Sequence, residues 1–271
     1  MKITFAVLPV LLPFVLDAQL TPTAVNADAI VLVPYQVVAA GPHERVWQSV
    51  TVDAEGNTNA NSYTELATGL NYQNTTTGKW EESREAFEIT KDGRAVANHG
   101  QHQVILAGDI YTGGSVDLLM PDGQRLLSNP MGLSFRDASG KSVLIAEVTN
   151  CVGELVEPNV VLYVNAFDTL NGAVRYTYTK SGFSQDIILY QNPGSPADYG
   201  LDPATTVLEM YSEFFDPPAA TVSFHADNDR LLNFGQMQIG RGAAYLLDEE
   251  SLKGIPVTKE WTTIDQRRRD F

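Results

Sequence analysis

His99 and His102 stand three residues apart, with Gly100-Gln101 between them. This is the one spacing in the chain that resembles a pair of metal ligands. A zinc ion takes three or four nitrogen, sulfur or carboxylate ligands in a tetrahedron. Residues three apart on a strand face opposite sides, so the two imidazoles converge only if the chain turns between them. Gly100 permits such a turn. No third ligand is close by in sequence, so the pair reads as loop or edge-strand histidines and no metal is assigned.

Glu81, Glu82, Glu85 and Glu88 crowd together beside Trp80. Hydrolysis of a glycosidic bond uses two carboxyl groups about 5 to 9 Å apart. A sequence does not show that separation across strands, and an acidic cluster in an acidic chain is ordinarily a solvated face. Asp137-Ala138-Ser139-Gly140 lacks the alternating oxygen ligands of a calcium loop. The chain has no Gly-x-Ser-x-Gly elbow, no Ser-x-x-Lys, no phosphate-cradling glycine loop and no His-Glu-x-x-His. Its single cysteine, Cys151, has no intramolecular partner and reads as a small buried hydrophobe. Trp47, Tyr63, Tyr72, Trp80 and Trp261 lie among polar residues. Rings so placed either stack on sugars or cap the ends of a core. The ligand-contact candidates are therefore His99, His102, Trp47, Trp80 and Tyr72. No catalytic residue and no cofactor is assigned.

These residues ride on short runs whose side chains alternate. Val46, Val50 and Val52 point one way, against Trp47, Ser49 and Thr51. Glu85, Phe87 and Ile89 repeat the period. Val174, Tyr176 and Tyr178 share a face opposite Arg175, Thr177 and Thr179, and residues 207–215 alternate likewise. A period of two, with many β-branched and aromatic residues, denotes strands. Turn signals such as Asp92-Gly93, Asp122-Gly123, Asn171-Gly172 and Ser181-Gly182 punctuate the runs. Residues 173–190 read as a hairpin with Lys180-Ser181-Gly182 at its tip, and residues 115–127 as another turning at Pro121-Asp122-Gly123. Helical periodicity is missing, apart from one turn over Asp248 to Lys253. The expectation is an all-β fold, a large antiparallel β-sandwich with little helix. The Pro- and Gly-rich stretch 193–203 is a possible break between two lobes.

The chain has 271 residues and a net charge of −15, from 18 basic and 33 acidic side chains. So negative a surface repels phosphate backbones and excludes nucleic acid as a partner. Met1-Lys2 precedes an apolar run to Leu16, too short to span a bilayer as a helix, which needs about 20 residues. This order matches a signal peptide over residues 1–27, cleaved after Ala18 or Ala27. The remainder, 28–271, then forms one extended domain with no membrane span, secreted, periplasmic or at a bacterial cell surface. Arg267-Arg268-Arg269 near the end reads as a basic tail or as the lead-in to further chain.

Residues Asn159 to Phe167, Val174 to Thr179 and Gly182 to Leu189 resemble the N-terminal β-rich region of very large secreted bacterial proteins, some of which carry Rhs/YD-type repeats. The likeness centres on residues 159–189. It implies a surface or secreted scaffold role and continuation past Phe271, and it brings no catalytic residue with it. This chain has no such repeats of its own. The sequence thus favours a non-catalytic exported module that binds carbohydrate or a cell-surface protein. The alternative is a secreted glycan-active enzyme, a hydrolase, lyase or epimerase.

Overall fold

The structure is a computed structural model that describes residues 31–53, 55–224, 230–246 and 254–262. The stretch 1–27 expected to be a signal peptide, with its Ala18 and Ala27 cleavage points, the expected turn over Asp248 to Lys253 and the arginine tail lie outside the described residues. The described residues divide into two compact units. One comprises 31–38 and 46–63, the other 39–45 and the chain from 64 onward.

The fold is all-β, as the alternation predicts. Strands β1 (Val31–Leu32), β2 (Gln36–Ala40), β3 (Glu44–Val52) and β4 (Thr58–Leu66) form a sheet in which β3 pairs with the other three. In the first unit no described hydrophobic side chain is buried. The predicted alternation of β3 is present, but its buried side chains are Arg45 and Ser49 rather than the valines. Each of the two has a hydrogen-bonding partner: Ser49 Oγ donates to the Val33 carbonyl at 2.7 Å, and Arg45 donates to Leu70 and Asn71.

The second unit holds the core. A hairpin of β5 (Asn71–Gln73) and β6 (Trp80–Glu82) comes first. Strands β7 (Glu88–Ile89), β8 (Ala95–Ala97), β9 (Gln103–Leu106), β10 (Val116–Leu119), β11 (Arg125–Arg136) and β12 (Ser142–Glu147) then pair in sequence order. Next comes a four-stranded meander of β13 (Gly153–Glu157), β14 (Val160–Val164), β15 (Gly172–Thr179) and β16 (Gly182–Leu189). Strand β17 (Val207–Phe215) returns to β11, with a register shift at Pro130/Gly132. A bulge there suits a proline, which donates nothing to a ladder. Strands β18 (Thr221–Phe224), β19 (Arg230–Phe234) and β20 (Met237–Ile239) form a small sheet, and β21 (Gly242–Ala244) pairs with β22 (Ile255–Val257).

Both predicted hairpins are present. In β15 the alternation buries Val174, Tyr176 and Tyr178 and turns Arg175 outward, directly across from Asp186, which accepts its guanidinium at 2.9 and 3.0 Å. Burying each such apolar side chain contributes about 1.5 to 3 kcal/mol. Inner residues of β8 to β11 and of β14 and β15 join one hydrophobic cluster, in which the Phe87 and Tyr178 rings meet edge-on at 5.9 Å. The Glu85-Phe87-Ile89 alternation does not hold as read. Only Glu88–Ile89 is strand, and Phe87 is buried while Glu85 and Ile89 are exposed. The preceding segment is irregular because its backbone is claimed by other elements: the Phe87 amide donates to the Pro158 carbonyl at 2.7 Å. The 193–203 loop contains a short 3₁₀ turn, Pro196–Tyr199, capped by Ser195. Cys151 is half-buried, with its Sγ 2.8 Å from the Val164 carbonyl. Among the described residues no helix is long and apolar enough to cross a membrane.

Candidate functional site

The irregular segment 83–85 is held from three sides, all within the second unit. The Ser83 amide donates to the Leu70 carbonyl at 3.0 Å and the Arg84 amide to the His99 carbonyl at 2.8 Å. The Glu85 carboxylate accepts the Lys180 amide at 2.8 Å, which ties it to the tip of the β15–β16 hairpin. Gly69, at φ +70°, passes so close to the Lys180 carbonyl that a Cβ would overlap it. These ties bring Tyr72, Glu81, Glu82, Ser83, Arg84, Glu85, His99 and Lys180 around one open pocket of about 620 Å³.

The carboxylates of this pocket are largely committed. Tyr72 and Glu81 lie opposite each other in the β5–β6 ladder, and the phenol donates to Glu81 Oε2 at 2.8 Å. Glu81 Oε1 accepts from Asn74 Nδ2 at 2.8 Å, and Asn74 also caps the turn by accepting from the Thr76 and Thr77 amides. Partial burial and then the bond to Glu81 push the Tyr72 phenol above its ordinary pKa. Glu82 lies 3.2 Å from Arg45 Nη2 and 3.9 Å from Lys180 Nζ. Arg45 is itself buried, donating from Nε to Asn71 Oδ1 at 2.9 Å and from Nη2 to the Leu70 carbonyl at 3.0 Å. His99 meets the Tyr72 ring edge-on at 5.6 Å, with Nδ1 4.0 Å from Glu88 Oε1. Ser83 is only 2% exposed, and its Oγ has no hydrogen-bond partner among the described residues. An unpaired buried hydroxyl costs about 1 to 3 kcal/mol.

The five candidates separate. Tyr72 and His99 line the pocket side by side, in edge-on contact. His102 turns the other way: the 99–102 bend that Gly100 allows directs it into the core, 3% exposed, against the Tyr178 ring at 4.9 Å. Burial holds its pKa below the ordinary value, a backbone hydrogen bond to Gly182 opposing, and its Nε2 has no partner among the described residues. Trp80, 38% exposed, is not part of the lining, and Trp47 belongs to the first unit. Trp261 packs on Phe214 and Phe234 rather than among polar groups. The acidic cluster divides: Glu88 is solvated, whereas Glu81, Glu82 and Glu85 join the wall. Ser83, Arg84, Lys180 and Arg45 carry no motif and escape a sequence reading. The one hint is that Lys180 sits at a predicted hairpin tip.

With both oxygens of Glu81 and one each of Glu82 and Glu85 held by neighbours, the pocket presents oriented acceptors beside the cationic Arg84 and Lys180 and two rings. Among the described residues no group of three or more His, Cys, Asp or Glu side chains could hold a metal ion. Comparison with known proteins brings no match: no family model, no curated protein and no solved structure aligns with this chain.

Proposed function

We propose that the chain is an exported, non-catalytic β module of a bacterial cell surface and that the pocket around Ser83 binds a carbohydrate. A polyhydroxylated ligand offers donors and acceptors together, which is what a lining of three carboxylates, two cations, a phenol and an imidazole requires. The observation that carries the reading is the gathering of Tyr72, Arg84, Glu85, His99 and Lys180 around one open pocket of about 620 Å³. The pinning of Glu81 by Tyr72 and Asn74 favours recognition over proton transfer. The N-terminal order of Lys2, apolar run and alanines supports export, and the likeness of residues 159–189 to secreted surface proteins supports the location.

The test is binding of the purified chain to a panel of bacterial and plant polysaccharides, with Tyr72→Ala and Arg84→Ala beside the parent. Saturable binding that both variants lose supports the reading; binding to none of the panel, or binding indifferent to both variants, overturns it. A second reading, a glycan-active enzyme, draws on the meeting of Tyr72, His99 and carboxylates in one pocket. Release of shortened or unsaturated sugars from the same panel, abolished by His99→Ala, would establish that reading instead.

A further inference from the structure

The first unit presents its own chemistry. The Trp47 ring on β3 and the Tyr63 ring on β4 lie within 10° of parallel, with centroids 6.1 Å apart, so the two share one sheet face. Tyr35 meets Tyr63 edge-on at 5.1 Å from the break between β1 and β2, just after Pro34. Tyr35 is 45% exposed and Tyr63 50%. A ring so placed forgoes much of the 150 to 250 Å² that an aromatic side chain usually buries.

The surroundings select among ligands. Alternation places Asn59 and Asn61 on the Tyr63 face of β4, and every residue of β4 from Thr58 to Tyr63 is exposed. Thr51, on the Trp47 face of β3, donates to the Asn59 carbonyl at 3.3 Å. The face around the three rings therefore offers amides, hydroxyls and ring faces, and the two charged residues that alternation adds to it, Arg45 on β3 and Glu65 on β4, pair with each other at 3.8 Å. A buried protein interface would have to desolvate the Asn59 and Asn61 amides. The overall charge of −15 disfavours phosphate-bearing or uronic-acid ligands.

We infer that Tyr35, Trp47 and Tyr63 form an aromatic binding surface for an uncharged sugar, whose C–H groups pack on the exposed Tyr35 and Tyr63 rings while its hydroxyls bond to Asn59 and Asn61. This site is separate in residues from the pocket around Ser83 and stands whether or not that pocket binds sugar.

The experiment is electrophoresis of the full chain through native gels containing dextran, a β-glucan or a mannan, with alginate as the charged comparison. The expected result is retardation by at least one uncharged polymer. It weakens about tenfold or more in Tyr35→Ala and Tyr63→Ala and is retained in Tyr63→Phe, which keeps the ring. Circular dichroism of each variant verifies folding. Migration of the parent unretarded by all three uncharged polymers overturns the inference. So does retardation that both alanine variants keep and Tyr72→Ala loses, which would put the sugar in the pocket. A concentration-dependent dimer of the parent, abolished by Tyr63→Ala in light scattering, would make the face a contact between copies and overturn it too.

Discussion

The Tyr178 hydroxyl donates to the main-chain carbonyl of His102 at 2.8 Å, and it does so beside Gly100, which has no side chain to obstruct it. A Cβ on Gly100 would overlap the Tyr178 oxygen. Gly100 is not at a left-handed φ, so the conflict is with that oxygen and not with the backbone.

Gly100→Ala should therefore destabilise by about 1 to 3 kcal/mol, the range for forcing extra volume into a packed site. Tyr178→Phe alone should cost about 1 kcal/mol, the worth of the lost hydrogen bond. The double variant should be more stable than the sum of the two losses implies, because removing the hydroxyl makes room for the methyl. Urea denaturation of the four proteins measures this coupling. Strict additivity would mean that the Tyr178 oxygen does not fill the space beside Gly100.

His102 makes stability depend on pH. Burial lowers its folded-state pKa below the ordinary 6.5, so the unfolded chain binds the proton more readily in the interval just beneath that value. Stability contributed by the neutral imidazole is complete above 6.5 and is lost as pH falls from there toward the depressed folded value. Above about pH 5 most carboxylates stay ionised, which leaves histidine to dominate the trend. His102→Leu should flatten the decline in urea midpoint between pH 7.5 and 5. A variant whose midpoint declines as steeply as the parent's would contradict the burial of this imidazole.

Arg45 should matter more than an exposed arginine does. Replacing it with Met leaves Asn71 Oδ1 without its donor, takes from the Leu70 carbonyl one of its two donors (the Ser83 amide remains) and leaves Glu82 without its closest cation. The expected loss is about 1 to 3 kcal/mol, set by the unpaired buried Asn71 oxygen rather than by the partly solvated ion pair. Chemical denaturation measures it, and a change within 0.5 kcal/mol, about what an ordinary surface substitution costs, would contradict the network.

The strands were readable because their side chains obey a period of two and their corners carry glycine. Gly123, at φ +85°, and the Lys180-Ser181 tip fall where the turn chemistry puts them. Burial on β3 was not readable, since valine is the expected inward residue and only the distant Leu70 and Asn71 explain why Arg45 is buried. The site was half legible. Tyr72, His99 and the glutamates show their chemistry in their residue types, yet their meeting depends on amide bonds from Ser83 to Leu70, Arg84 to His99 and Lys180 to Glu85, which no local spacing encodes. His102 shows the same limit from the other side: a bend of four residues sends one histidine of the pair to the pocket wall and the other to the core.

The pocket reading faces its most direct test in backbone-amide NMR of the isotope-labelled chain titrated with whichever polysaccharide fragment binds. The amides of Ser83, Arg84, Glu85, His99 and Lys180 should shift together along one saturation curve, and Tyr72→Ala should abolish those shifts. Saturable shifts confined to other residues, with these five unmoved, would contradict the assignment of the pocket as the carbohydrate site.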